Sequence, residues 1–427
     1  MSGKHKSQMV EDPAKNPKLE AEISTLRNTK DIPDVVWQKI FGFFSLKEIK
    51  LNVARVCRHF YEISNDCVKE ITIDRNICAS NSMYEMFDAL PTFQYLKTIK
   101  IINFSVQNPS TKVAELFVMH ALRNCPRLKI LRLFDFQMSI GFMEHIVKHG
   151  QNLVGLQLNF MRTGAPDILS PLNTGMKNLK HLELHYFWQS NYKTEDLLAM
   201  VQNCKKLNSL HLYGCQVPDD TISQLINLKK EKLKEFKFRI TQDFIGCSEK
   251  WIEQLIHCLK LEYLNVIGLQ ITKYGFEVIS NLKSLVRIDL HSDAENQYKA
   301  DDVIKLMSNG KFNNLKELRV WGLKDTIDSL LMCVAFACPN LTFLKFECST
   351  DTRKYFPKNI IKVLFDILPE LKELELEWNW DEEHDNSGDG PIFVKSQLEE
   401  MLINFKNKFK VEIGEDYDDL IKITREM

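Results

Sequence analysis

Chain-breaking residues are scarce in this sequence. It has 16 glycines and 13 prolines in 427 positions, about 7% together against roughly 12% in an average protein. Long flexible linkers are therefore not expected. Neither sign of charge is in surplus: 56 lysines and arginines stand against 57 aspartates and glutamates, for a net charge of −1. That balance argues against general nucleic-acid binding, which needs a basic excess to displace counterions from phosphates. Long apolar runs are missing too. The longest spans nine residues, Leu330 to Cys338, far below the ~18 needed to cross a bilayer. The first thirty residues are polar and mixed in charge, without the apolar core of a signal peptide. The eleven cysteines include no CxxC pair. An odd number of scattered thiols in a long chain reads as reduced cysteine, in the cytoplasm or nucleus. No membrane, nucleic-acid or cofactor partner is expected.

What the sequence does have is a repeat. The pattern L-x-x-L-x-L recurs from Val68 (VKEITI) and Leu96 (LKTIKI) through Leu128, Leu153, Leu179, Leu207, Leu233, Leu261, Leu285, Leu315, Leu341 and Leu371 (LKELEL). Twelve copies at a steady period of about 27 residues set the architecture. The alternating apolar residues of each hexamer make a short strand with one buried face. The rest of each repeat has helical spacing. In Thr194–Cys204, Thr194 is a candidate cap while Leu197, Leu198, Val201 and Cys204 share a face. In Asp219–Leu228, Asp219 or Asp220 is the candidate cap. One strand and one helix cannot bury their apolar faces alone, so the units must stack. The expected fold is an α/β solenoid with a curved parallel sheet inside and helices outside.

This pattern resembles leucine-rich repeat proteins of the cysteine-containing kind. Cys125, Cys204, Cys258 and Cys338 each stand three residues before the first Leu of a repeat, and Cys215 occupies the family's Asn/Cys turn position. Phe136 and Phe187 stand at that turn position in other copies. A small buried hydrophobe in each repeat explains these thiols better than a metal or disulfide role.

Residues 31–66 lack the repeat. Val35, Val36, Trp37, Ile40, Phe41, Phe43 and Phe44 make a helix that is apolar nearly all round, and a second apolar pattern runs from Leu46 to Ile63. Thirty-six residues cannot enclose so much apolar surface, so the repeats or another protein must cover it. The segment resembles an F-box, on Ile32-Pro33, Val36, Ile40-Phe41, Leu46, Ile49, Val53, Val56-Cys57 and Phe60. Ile32 and Phe60 differ from the family's commonest residues but keep a large apolar side chain.

An F-box followed by leucine-rich repeats implies a non-catalytic substrate receptor of an SCF-type cullin–RING ubiquitin ligase. Those F-box residues would bind a Skp-type adaptor, and through it cullin and RING subunits, while the repeats would hold the substrate protein. The alternative is a protein-interaction scaffold whose helical segment merely caps the solenoid. The expected organisation is a disordered tail at 1–30, an F-box at 31–66, repeats at 67–393, and a C-terminal cap with an acidic tail at 394–427.

Catalytic motifs are not found: there is no P-loop and no GxSxG. His145 and His149 sit four apart on an expected helix, but without a Glu after His145 or a third ligand they read as solvated. The acidic stretch Asp381–Gly390 has Asn386 and Ile392 where a calcium loop needs Gly and Glu. Binding chemistry is instead expected on the strand positions that alternate with the buried leucines. One such column runs Arg132, Gln157, Glu183, His211, Lys237, Asn265, Asp289, Arg319, Lys345, Glu375; the next includes His185, Tyr213, Arg239, His291 and Trp321. His211 is expected to face solvent. Tyr213, Arg239, Arg319, Trp321 and Phe343 are the candidate substrate-binding residues, because aromatic anchors and guanidinium groups dominate binding hot spots. They suit an acidic or phosphorylated partner segment. The rival is self-neutralisation, with Asp289 paired to Arg319 and Lys345 to Glu375.

Overall fold

The computed structural model describes residues 68–78, 82–102, 110–136, 138–159, 168–185, 193–240, 247–292, 297–309, 312–323, 327–348, 358–378, 409–413 and 419–425. The F-box residues Ile32 to Phe60 and the acidic stretch 381–390 lie outside them.

Each L-x-x-L-x-L copy forms a strand. In order these are β1 (Glu70–Ile73), β2 (Thr98–Ile101), β3 (Ile130–Leu133), β4 (Gly155–Asn159), β5 (His181–His185) and β6 (Ser209–Tyr213). They continue as β7 (Glu235–Arg239), β8 (Tyr263–Ile267), β9 (Arg287–His291), β10 (Glu317–Leu323), β11 (Phe343–Cys348) and β12 (Glu373–Trp378). All twelve pair in parallel with their sequence neighbours. Register carries over from repeat to repeat, with one shift between Val320 and Leu323 on β10: Leu182, Leu210, Phe236 and Leu264 align, and all four are buried. Slipping one strand by a residue would turn those side chains to solvent, so the apolar pattern fixes the pairing.

The core lies between the sheet and the helices, and each connecting segment contributes to it. Most segments are α-helical, for example Ile140–His149, Thr194–Asn203 and Asp219–Lys229. Two are 3₁₀ helices, Ser170–Thr174 and Lys250–His257. The second delivers Trp251, fully buried, against Phe236 and Phe238 at ring distances of 5.4 and 5.2 Å. Here aromatic volume replaces the leucines of other repeats. Cys125, Cys204, Cys215, Cys258 and Cys338 are all buried, as the repeat position implies. Burial pushes the Cys125 thiol up to about 11 and those of Cys258 and Cys338 to about 12. Thiols held protonated in this way are poor nucleophiles and poor metal ligands.

Several local expectations are corrected. Thr194 is the first residue of its helix rather than the cap; Lys193 precedes it without a capping side-chain bond. Asp219 also lies inside its helix. Its carboxylate accepts from the Ser248 amide at 2.9 Å and the Ser248 hydroxyl at 2.6 Å, tying one repeat to the next. His145 is buried, with Nε2 3.1 Å from the Met119 carbonyl and its ring stacked on His149. A helix face packed against the neighbouring helix has replaced the solvated face. Lys229 is buried at a helix end and donates to the Cys204 carbonyl at 2.8 Å, satisfying a group left over at the end of the preceding helix.

The C-terminal end differs most. FKVEI forms β13 (Phe409–Ile413), which does not pair with the repeat strands directly. β14 (Asp419–Arg425), in the part expected as a C-terminal cap with an acidic tail, pairs antiparallel with β12 on one side and β13 on the other. Ile421 and Ile423 are buried, and the Arg425 guanidinium donates to the Phe365 and Pro369 carbonyls. Alternation in DLIKITR is the signal, hidden behind the acidic EDYDD. The added strands cover the apolar end that a stacked array exposes at its last repeat.

Candidate functional site

Side chains that alternate with the buried leucines project from the sheet face opposite the helices. They form three rows across the strands. Ser209, Glu235, Tyr263, Arg287, Glu317 and Phe343 belong to the first; Glu183, His211, Lys237, Asn265, Asp289, Arg319 and Lys345 to the second; His185, Tyr213, Arg239, Ile267, His291 and Trp321 to the third. Except for Phe343, the first row was passed over as a source of binding residues. Its signal was the same period-two alternation, one step earlier in each hexamer.

On β5 to β7 the rows form a polar network. Glu183 receives the Gln157 amide at 2.8 Å, His185 Nε2 at 2.5 Å and His211 Nδ1 at 3.3 Å. Burial alone would raise the Glu183 carboxyl, but the bonds from His185 and His211 outweigh it and hold it down to about 2. The Ser209 hydroxyl donates to Glu235 at 3.0 Å, and His211 Nε2 lies 3.0 Å from that hydroxyl and 3.4 Å from the carboxylate. His211 is first in holding Glu235 down to about 2. At 9% exposure, His211 is therefore a cross-strand bridge rather than a solvated residue.

Ser209, His211 and Glu183 have the contacts of a nucleophile, a base and its orienting acid. The surroundings do not suit that chemistry. Ser209 is 1% exposed, and its amide is spent on the Lys180 carbonyl, so a substrate carbonyl has neither a way in nor a free oxyanion donor there. Among the described residues, no three His, Cys, Asp or Glu side chains group as a metal site, and no helix is long and apolar enough to cross a membrane.

On β8 to β10 the centre is Asp289, whose side chain is 3% exposed. It accepts from Arg287 at 2.7 Å, from the Tyr263 hydroxyl at 2.6 Å and from Arg319 at 3.3 Å. Burial would raise its carboxyl, but Arg287 and Tyr263 keep it below the usual range. Arg319 is also bound to Glu317 at 2.8 Å and lies 4.2 Å above the Phe343 ring. On β11 and β12, Lys345 pairs with Glu377 at 2.7 Å and Glu375 at 3.4 Å, and Lys422 of β14 pairs with Glu373 and Glu375.

All five candidate substrate residues project from this face, but they are not equivalent. Arg319 is ion-paired with Asp289 and Glu317, and Phe343 is half-buried beneath it. Tyr213 packs against His185 at 4.7 Å and Trp321 against His291 at 5.7 Å, both in the third row. Arg239, between them in that row, is exposed.

A family model described as a leucine-rich repeat region matches residues 127–390. The chain belongs to the leucine-rich repeat proteins. A second model, an F-box domain, matches residues 30–72, which makes this an F-box/leucine-rich repeat protein. The F-box match overlaps the first three residues of β1. Among solved structures, a chain from the yeast Rad7–Elc1 complex is 15% identical, with 83% of this chain and 90% of that chain covered and a TM-score of 0.46. The leucine-rich repeat-containing protein LegL7 from Legionella pneumophila is 14% identical, with 70% and 97% covered and a TM-score of 0.45. No curated protein sequence matches. An F-box implies a surface for a Skp-type adaptor, and its union with repeats is an adaptor-type architecture of ubiquitin ligases.

Proposed function

We propose that this protein is the substrate-recognition subunit of an SCF-type cullin–RING ubiquitin ligase, acting in the cytoplasm or nucleus. The observation that carries the reading is the F-box match at 30–72 joined in one chain to twelve leucine-rich repeat strands. In this reading Ile32, Pro33, Val36, Ile40, Phe41 and the apolar residues from Leu46 to Phe60 take the Skp-type adaptor, which brings cullin and RING subunits. The open face of the sheet takes the substrate protein. The chain itself does no chemistry. It supplies proximity, turning the encounter of substrate and ubiquitin-charged enzyme into an intramolecular event at high effective concentration.

Co-purification of the full chain with a Skp-type adaptor tests the reading. The pair should be recovered as a stable complex, and Pro33→Ala with Ile40→Ala should release the adaptor while the repeats melt at an unchanged temperature. A scaffold that recruits no ligase would be recovered without adaptor in both forms.

A further inference from the structure

The net charge of −1 is an average that the fold separates in space. The repeats enter their strands through tight turns, closed for example by the Leu128 amide on the Cys125 carbonyl at 3.1 Å and the Leu261 amide on the Cys258 carbonyl at 3.0 Å. Arg127, Lys177, Lys205, Lys206, Lys232 and Lys260 stand in the turns before β3 and β5 to β8, all exposed. Just inside them a continuous backbone ladder links the strand entrances, from Lys129 through Val154, Lys180, Asn208 and Lys234 to Glu262. These turns therefore share one edge of the sheet, and cations crowd it.

Glu231 and Glu262 are the acids of this stretch, and Glu262 is paired with Lys234 at 2.5 Å. Glu235, the nearby carboxylate of the open face, is held by Ser209 and His211. Among the described residues, no other cation of this edge lies within ion-pair distance of a carboxylate. Their hydrogen bonds go to neutral groups: Lys206 Nζ to Asn178 Oδ1 at 2.7 Å, and Lys232 Nζ to the Lys205 carbonyl at 3.0 Å. Such bonds position an ammonium without cancelling its charge. The crowding is felt locally: burial lowers the Lys229 pKa to about 8, and Lys205 and Lys232 push it the same way. Five strand intervals of about 4.8 Å separate β3 from β8, roughly 24 Å. With a screening length of about 8 Å at physiological salt, neighbouring charges on this edge reinforce one another.

We infer that this edge, from Arg127 to Lys260, binds the surface of a membrane containing anionic phospholipid. The inference goes beyond the ligase reading and does not depend on it. Three features select lipid over other polyanions. The cations are lysines apart from Arg127, whose guanidinium lies on the Tyr95 ring at 4.2 Å. Lysine is a compact point charge that suits a diffuse anionic layer, whereas fork-like recognition of single phosphates or carboxylates draws on arginine. No aromatic side chain stands in the turns before β3 to β8, so neither stacked nucleobases nor the anchor pockets of a protein interface are provided for. Leu259, 82% exposed, protrudes from the same edge beside Lys260. A leucine among lysines fits a surface that is apolar just beneath its anionic layer, and it gains nothing from RNA or an acidic peptide in water.

The test is co-sedimentation of the full chain with phosphatidylcholine vesicles, with and without about 30% phosphatidylserine, at about 0.15 M salt. The chain should bind the anionic vesicles and leave the neutral ones in solution. A lysine at such a surface contributes about fivefold. Lys180→Glu with Lys205→Glu and Lys206→Glu should therefore weaken binding about a hundredfold or more. The melting temperature should not change, since all three are exposed. Leu259→Ser should weaken binding about fivefold, the partial burial of one leucine. The same reversal at Lys250, Lys273 and Lys299, exposed but outside this edge, should leave binding in place. Absence of binding to the anionic vesicles, equal binding to neutral ones, an unaffected edge variant or equal weakening by the control reversals overturns the inference. So does a single-stranded RNA or poly-glutamate peptide that, at equal charge, holds the chain as tightly as the vesicles and is indifferent to Leu259→Ser.

Discussion

On β9 and β10 the buried Asp289 holds Arg287 at 2.7 Å and Arg319 at 3.3 Å, whereas on β7 the Lys237 ammonium lies 4.5 Å from the Tyr263 ring, with Glu235 and Glu183 acting on it only at longer range, and Arg239 is exposed. The two regions are two to three strands apart on one face and present the same kinds of side chain. The difference is burial of the counter-charge. A carboxylate sealed beneath two guanidinium groups is costly to desolvate, so it is kept only while its partners stay. The cluster therefore belongs to the stability of the sheet. Exposed cations outside such a cluster add little to stability, and Arg239 of β7 is one of them.

The harshest way to break the contrast is to remove the sheet beneath both regions. Leu210 is fully buried on β6, and Leu210→Asp would put an unpaired charge there, at a cost of about 4 kcal/mol or more. Because repeats contact mainly their neighbours, protection from hydrogen exchange should be lost first around β5 to β7 and then outward.

Next in size is Asp289→Ala, which strands Arg287 and Arg319 and should cost about 2 kcal/mol in denaturant unfolding. Arg239→Ala should cost no more than about 0.5 kcal/mol. Equal losses would erase the distinction between the two regions.

Acid sharpens the same contrast. Glu183 and Glu235 have folded pKa values near 2, below their ordinary value of 4.5. Groups depressed in this way stabilise the fold above their unfolded pKa and lose that contribution as pH falls through the folded value. The melting temperature should thus fall between about pH 4.5 and pH 2. The fall should be shallower in Glu183→Gln, which has no such proton to take up. Parallel curves would show that the His185 and His211 bonds do not hold in solution.

His211→Ala should fall between the Asp289→Ala and Arg239→Ala effects. Its bridge between Glu183 and Glu235 should be worth about 1 kcal/mol, still above the Arg239→Ala value. A His211→Ala cost indistinguishable from that of Arg239→Ala would return His211 to the role of a solvated surface residue.

Much of this fold is legible in the sequence because its signal is local. L-x-x-L-x-L fixes strand, face and register together, and twelve repetitions leave little choice of topology. The pairing Asp289–Arg319 was also readable, since neighbouring repeats place those residues side by side. What escaped is non-local or depends on depth. Arg287 and Tyr263 converge on Asp289 from the row that alternation marked but that was not read as binding surface. His211 projects from the open face and is nevertheless buried, held between Glu183 and Glu235; alternation gives direction but not depth. β14 reaches β12 past β13, an order in space that the order in sequence does not reveal.

In the proposed function, one protein joins a ligase adaptor through its F-box to a substrate on its open sheet face, where Arg239 is exposed. Quantitative proximity labelling in cells, with the wild-type chain and Arg239→Glu side by side, tests both ends at once. The Skp-type adaptor should be labelled equally by the two forms, while a subset of other proteins, those carrying acidic or phosphorylated segments, should be lost from the variant. Identical partner sets with Arg239→Glu, or a wild-type set without a Skp-type adaptor, would contradict it.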